Sequence, residues 1–362
     1  MTAPNRILLI RLDRLGDVVL STPVAQVLRQ TFPHAFIAML VRPPCREAIE
    51  GHPAINETLV YDKDGPQRTL SGTIRFARAL RRYGFDTALI LHPSNRSHWI
   101  PWLAGIPRRI GYDRKNAWLL TQRVPHRKQE GERHEAAYTL EMLRAIGIAP
   151  PTDPRPFVPV QPAAAQRIEA LLATRLAATL PEAGGPLVAV HPSASCVSKR
   201  WMPERFAQVA DRLAAERGAR ICVIGDGSAA HDAHDMVRAM RQPALNLVGQ
   251  LSVGELAALL QRCALLLSND SGPVHVAAAV GARVVDIFGR NQRGLSPHRW
   301  GPLGEGHTVL QRDVGCVTCL AHRCDIAFLC LTTLSAEEVY QAAVCALDAP
   351  RPHVTVTSEP KQ

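Results

Sequence analysis

A chain of 362 residues, 46% hydrophobic and 20% charged, has the composition of a globular protein and is too long for one ordinary core, so two domains of roughly 150–180 residues are expected. No apolar run reaches the ~18 residues of a membrane span, and an N-terminus with Arg6, Arg11 and Asp13 around a short apolar core is no signal peptide, so a cytoplasmic location is expected. The net charge of +10 is uneven, since residues 1–160 hold 23 Lys and Arg against 14 Asp and Glu while the remainder is near neutral; the first half is expected to meet an anionic partner unless its arginines only decorate the surface.

The first half reads as strands alternating with helices. Arg6–Arg11 is a short apolar run ending in charge, followed by a turn and an apolar-periodic stretch to Phe32. Phe36–Val41, Thr58–Tyr61 and Thr87–Leu91 are further buried-strand candidates, and Ser71–Tyr83 has helical spacing. The six prolines of Pro150–Pro162 mark an interdomain linker.

A helix over Ala163–Leu176 restarts the alternation. Strands are expected at Leu187–His191, Arg220–Gly225, Ala244–Val248, Leu265–Ser268 and Val284–Phe288, with helices from Pro203, up to Met240, over Ser252–Arg262 and after Gly272. The last helix, Ser335–Leu347, opens on the capping pattern Ser335-x-x-Glu338. Residues 348–362, with three prolines and little apolar content, are expected to be a disordered tail. The fold class is therefore α/β: two doubly wound, Rossmann-like domains, 1–160 and 161–347, facing a central cleft at the carboxyl ends of their strands.

Three segments could carry chemistry. In RLDRLGDVVLSTP (Arg11–Pro23), Gly16 is read as a tight turn that projects Asp17 into the cleft. An aspartate, with an ordinary value of about 3.9, is ionised near neutrality and can act as a base. The plain alternative is that Asp13 or Asp17 caps the next helix. In VAVHPSASCVSKRW (Val188–Trp201), a strand runs into a loop of small hydroxylated residues ending in Lys199, suited to phosphate oxygens, although the glycines of a Walker loop are missing. In LLLSNDSGPVHVAAAVG, the sequence Asn269-Asp270-Ser271-Gly272 sets a helix N-terminus at a strand end, with His275 one turn in, a ready diphosphate site.

Taken together, RLDRLGDVVLSTP, HPSASCVSKRW and NDSGPVHVAAAVG resemble glycosyltransferase family 9, the ADP-heptose:lipopolysaccharide heptosyltransferases, over nearly the whole chain from Arg6 to about Ala346. The resemblance implies a GT-B fold, inversion at the anomeric carbon, no metal and no cofactor. By position, Asp17 matches the family's general base. Ser193, Lys199, Asp270, Ser271, Gly272 and His275 match its donor site, which would take ADP-heptose or another nucleotide sugar.

The acceptor would be the anionic core of lipopolysaccharide, met by the basic first half through Arg11, Arg14, Arg42 and Arg46, at the cytoplasmic face of the inner membrane and without nucleic acid. One departure stands out: where the family places a ribose-reading Glu, this chain has Asp226, Asp232 and Asp235. Other readings of the same architecture are transfer from another nucleotide sugar or to an O-antigen or capsule acceptor, a nucleotide-sugar epimerase, and a sugar-binding protein without turnover.

Nine cysteines, five of them scattered singly, suit a reducing compartment. The other four, Cys316, Cys319, Cys324 and Cys330, have a spacing that would also serve a structural zinc.

Overall fold

The computed structural model describes residues 3–176 and 184–349. Its first sheet contains β1 (Arg6–Ile10), β2 (Phe36–Val41), β3 (Glu57–Val60), β4 (Thr87–Ile90), β5 (Arg108–Tyr112) and β6 (Gln122–Val124), all parallel, in the order β3-β2-β1-β4-β5-β6. The second contains β7 (Leu187–His191), β8 (Arg220–Val223), β9 (Leu245–Asn246), β10 (Leu265–Asn269), β11 (Arg283–Phe288) and β12 (Thr308–Gln311), again parallel, in the order β12-β11-β10-β7-β8-β9. Counted from their own first strands the two orders are identical, and each is that of a dinucleotide-binding sheet. This is the GT-B architecture.

In the first half, α1 (Leu15–Val19) and α2 (Thr22–Thr31) join β1 to β2, α3 (Leu70–Leu80) precedes β4, α4 (Asn95–Leu103) follows it, and α5 (Glu135–Leu140) lies beyond β6. In the second, α6 (Pro162–Leu171) leads in, and α7 (Pro203–Arg217), α8 (Ala230–Ala239), α9 (Val253–Arg262) and α10 (Gly272–Ala279) alternate with strands. Three further helices are α11 (Pro297–Trp300), α12 (Leu329–Thr332) and α13 (Ala336–Asp348).

The inner strands β1, β2, β4 and β7 are nearly continuous apolar runs because both faces of each sheet are covered. In β1, Ile7 and Leu9 enter one core while Leu8 and Ile10 enter the core on the opposite face. A further core crosses between the halves: Val19 and Ala48 of the first pack with Ala257, Val274 and Ala277 of the second. The Pro-rich passage is tied to the first half where the Phe157 amide donates to Thr22 Oγ1 (3.0 Å) and the Gln161 side chain donates to the Glu50 carbonyl (2.6 Å). The capping box expected at Ser335 and Glu338 is present.

Among the described residues β5, β6, β12, α4, α5 and the short α11 and α12 were not expected from the pattern. β5 opens on Arg108 and Arg109, and β6 and β12 carry polar residues at half-buried positions, so none reads as an apolar run. α4 contains Pro101 and shows no helical periodicity; its N-terminus is held by a Ser94–Ser97 capping box. Most of the expected tail, residues 350–362, lies outside the described residues.

Candidate active site

Between the halves lies a cleft of about 1230 Å3, lined from both sides. The carboxyl end of β1 delivers Arg11, Asp13 and Asp17 to it; the ends of β7 and β10 deliver Ser193, Lys199, Asp270, Ser271, Gly272 and His275. All seven residues expected for the base and the donor site therefore share one cavity. Neither Asp13 nor Asp17 caps a helix, since α1 and α2 have no side-chain caps.

Arg11 takes a different place from the one expected. It is buried, 1% exposed, and its guanidinium donates to Asp13 Oδ1 (2.8 Å), the Leu91 carbonyl (2.9 Å), Asp17 Oδ1 (2.6 Å) and Glu135 Oε1 (3.0 Å). A buried arginine with four of its five N–H groups committed to internal acceptors orients Asp17 and is not placed to meet an acceptor sugar. Arg14 reaches across the cleft to Ser195 Oγ (3.1 Å), and Arg42 lines the cleft while pairing with Asp64 (2.9 Å). Arg46 is not brought to the cleft lining; it is exposed and pairs with Glu50 (2.6 Å).

Behind Arg11 sits a residue that the sequence did not single out. Glu135, 1% exposed, accepts from Arg11 and Lys128 on Oε1 and from Arg299 on Oε2 at 2.8 and 3.1 Å. Burial opposes its ionisation, but Lys128, Arg11 and Arg299 together outweigh that and hold it well below the usual carboxylate range. Arg299 belongs to α11, so this carboxylate bonds the two halves. Two neighbouring contacts do the same: His134 Nε2 with the Gly301 carbonyl, and His298 Nδ1 with the Gly131 carbonyl, both at 2.9 Å. Burial pushes the Asp13 carboxyl up to about 7, against the pull of Arg11.

Gly16 also differs from its expected role. It lies inside α1, where a Cβ would come 2.5 Å from His275 Cδ2, and Gly272 Cα is 3.5 Å from the same point. Its lack of a side chain thus lets α1 and α10 touch across the cleft. His275 is buried, and burial lowers its pKa to about 3, so its ring is neutral.

On the second half, Lys199 Nζ pairs with Asp270 Oδ2 (2.6 Å). The Ser193 hydroxyl donates to Asp232 (2.5 Å), so it is already engaged within the protein. Ser271 is the N-cap residue of α10, but its hydroxyl turns to His191 Nδ1 (3.1 Å) and leaves the helix N-terminus without a side-chain cap. Trp201, fully buried, donates its amide to Asn269 Oδ1 (3.0 Å), and Asn269 donates to the Pro192 carbonyl (2.7 Å), which locks the two donor-side loops together. Of Asp226, Asp232 and Asp235 only Asp226 lines the cleft, beside Gly225, Ser228 and Leu256.

Arg290, Arg299, Trp300, Ala321 and His322 also line the cleft and were missed. Ala321 and His322 belong to the cysteine-rich segment, whose Ala321 carbonyl accepts from the Ser198 amide (3.0 Å). The zinc reading of that segment is not met: Cys316, Cys319, Cys324 and Cys330 are half-buried free thiols, and no group of three or more His, Cys, Asp or Glu among the described residues is arranged to hold a metal.

A family model described as glycosyltransferase family 9 (heptosyltransferase) matches residues 73–328. Lipooligosaccharide heptosyltransferase 2 of Haemophilus ducreyi is 25% identical over 316 residues, covering 84% of this chain and 88% of that protein. Among solved structures, a family 9 glycosyltransferase from Veillonella parvula superposes with a TM-score of 0.82 at 25% identity, over 95% of this chain and 97% of that one. The E. coli ADP-heptose lps heptosyltransferase II superposes at 0.78 and 21% identity, over 94% and 98%.

Proposed function

The chain belongs to glycosyltransferase family 9 and is a glycosyltransferase, and from that premise we propose that it moves a heptose from ADP-heptose to the inner core of lipopolysaccharide with inversion at the anomeric carbon. The observation that carries this is the single cleft in which Asp17 of the first half faces Lys199, Ser271 and Gly272 of the second.

In this reading residues 161–347 hold the nucleotide sugar. The diphosphate lies at the uncapped N-terminus of α10, where backbone amides and the helix dipole favour negative charge. Lys199 and Arg290 add positive charge on the same side. Asp226 takes the ribose in place of the family's glutamate. Residues 1–160 hold the acceptor, with Arg14 and Arg42 at the mouth of the cleft and its anionic groups facing the basic first half, at the cytoplasmic face of the inner membrane.

Asp17, held by Arg11, removes the proton from an acceptor hydroxyl as that oxygen bonds to the anomeric carbon. The carbon–oxygen bond to the diphosphate breaks in the same step, and its electron pair leaves with ADP. Lys199 and the first amides of α10 stabilise the charge growing on the leaving group without any metal. The interdomain bonds of Glu135 and His134 keep the cleft closed and exclude the water that would hydrolyse the donor.

The test is incubation of the protein with a panel of ADP-heptose and UDP-sugars, with and without a heptose-accepting core. Transfer from ADP-heptose with an inverted product anomer supports the proposal. Transfer only from another donor, epimerisation without transfer, or binding without turnover would each replace it.

A further inference from the structure

Three of the five tryptophans of this chain stand together on the outside of the first half. Trp99 and Trp102 of α4 meet edge-on with ring centroids 5.4 Å apart, and Trp99 meets Trp118 edge-on at 6.0 Å. Trp102 is 42% exposed and Trp118 62%. Leu70, the first residue of the α3 helix that packs on α4, is more exposed still. Single exposed apolar residues are ordinary, but an interlocked group of indoles is a surface already held in one arrangement, with little side-chain freedom left to lose on docking.

The charge around this group is mainly positive. Arg96, Arg114, Lys115 and Arg123 flank the three tryptophans in sequence, Arg68 is bonded to Arg96, and no ion pair involves any of these five cations among the described residues. Arg96 braces the region by donating to the Lys63 and Arg68 carbonyls (3.2 and 3.0 Å), and Arg123 donates to the carbonyl of Ala117, the neighbour of Trp118 (3.1 Å). The nearby acids are engaged elsewhere: Asp64 by Arg42, Asp62 by the amides of Asp64 and Gly65, and Asp113 by the amide of His126.

A cavity of about 910 Å3 is lined by Lys63, Arg68, Arg96 and Lys115 together with Arg42 and His92. Arg42, His92 and Lys115 also line the central cleft, so the two cavities adjoin. Indoles settle at the headgroup level of a bilayer, and clustered Lys and Arg are drawn to anionic lipid.

We propose that the Trp99–Trp102–Trp118 face docks the protein on an anionic phospholipid bilayer, setting the adjoining basic cavity to take the charged part of a membrane-anchored acceptor on its way to the cleft. The cavity's role rests on the lipid-linked acceptor proposed above; the docking face does not.

The test is flotation of the full chain with vesicles of phosphatidylcholine alone or mixed with phosphatidylglycerol, at low and high salt, comparing wild type with the double variant Trp102→Ser/Trp118→Ser. Wild type is expected to float with the phosphatidylglycerol vesicles and to bind less as salt rises. The variant, with an unchanged melting temperature, is expected to partition about ten-fold less. Wild type that stays behind, or a variant that floats as well as wild type, overturns the proposal. So does light scattering that finds a wild-type dimer which the variant loses, with no vesicle binding, because the face would then join two copies of the chain. ADP release with a deacylated, soluble acceptor is expected to be equal for both proteins; its absence in both would sink the assigned reaction while leaving the vesicle result standing.

Discussion

Arg299 of the second half donates two hydrogen bonds, at 2.8 and 3.1 Å, to the buried carboxylate of Glu135 in the first. The same carboxylate accepts from Arg11, and Arg11 donates to Asp17 at 2.6 Å. Closure of the halves and orientation of the base are therefore joined through one side chain.

Glu135→Gln is expected to destabilise the protein by about 3–5 kcal/mol, because it leaves Arg11, Lys128 and Arg299 buried around a neutral group. Urea or thermal unfolding measures this, and a change below about 1 kcal/mol would mean that the cluster does not hold the halves together.

Stability is expected to fall as pH drops below about 6.5. His52, His191 and His275 are lowered by burial to about 4, 4 and 3, so the unfolded chain takes up protons that the folded chain refuses. Their contribution is complete above the unfolded value and is lost through the window down to about pH 4. Asp13, raised to about 7, works in the opposite sense across that whole window, as one group against four, since burial also lowers His92 to about 4. Below about pH 4.5 Glu135 adds to the loss, since its folded value is depressed and protonation removes its ion pairs. Melting temperatures between pH 4 and pH 8 that are flat or rise toward acid would contradict this.

Gly16→Ala sets a Cβ 2.5 Å from the buried His275 ring, so one of the two helices must shift. Overpacking of this kind costs about 1–3 kcal/mol. Because α1 and α10 belong to different halves, the strain is expected to appear as a lower kcat at nearly unchanged ADP affinity. Turnover equal to wild type would show that the α1–α10 approach does not matter to the closed state.

Asp17→Asn is expected to lower the transfer rate by ~10²–10⁴ and leave ADP binding near normal. Lys199→Ala should also slow transfer but, unlike Asp17→Asn, weaken ADP binding by about 1.5–3 kcal/mol through loss of a charge-assisted phosphate contact. Calorimetric titration with ADP, paired with single-turnover rates, separates the two. The same pattern in both variants would argue that base and donor site are not divided between the halves as proposed.

The alternation of apolar runs and helical spacing was enough to determine two parallel α/β units and to put Asp17, Lys199 and the Asp270–His275 segment at strand ends, because strand burial and helix starts are written in neighbouring residues. Those signals are local. β5, β6 and β12 escaped because strands with charged or half-exposed residues lose the apolar run and are held by pairing with distant partners. The role of Arg11 and the importance of Glu135 were decided by tertiary structure alone. In sequence Arg11 is one cation among many in a basic half, and Glu135 sits in a charged stretch, GERHE, that reads as solvated surface. Folding buries both and brings Arg299 to Glu135 from 164 residues away. Gly16 read as a turn because its contact, His275, lies in the other half. Charge and size can be read from a sequence, but whether a charge is paired or a glycine is crowded depends on which distant atoms arrive beside it.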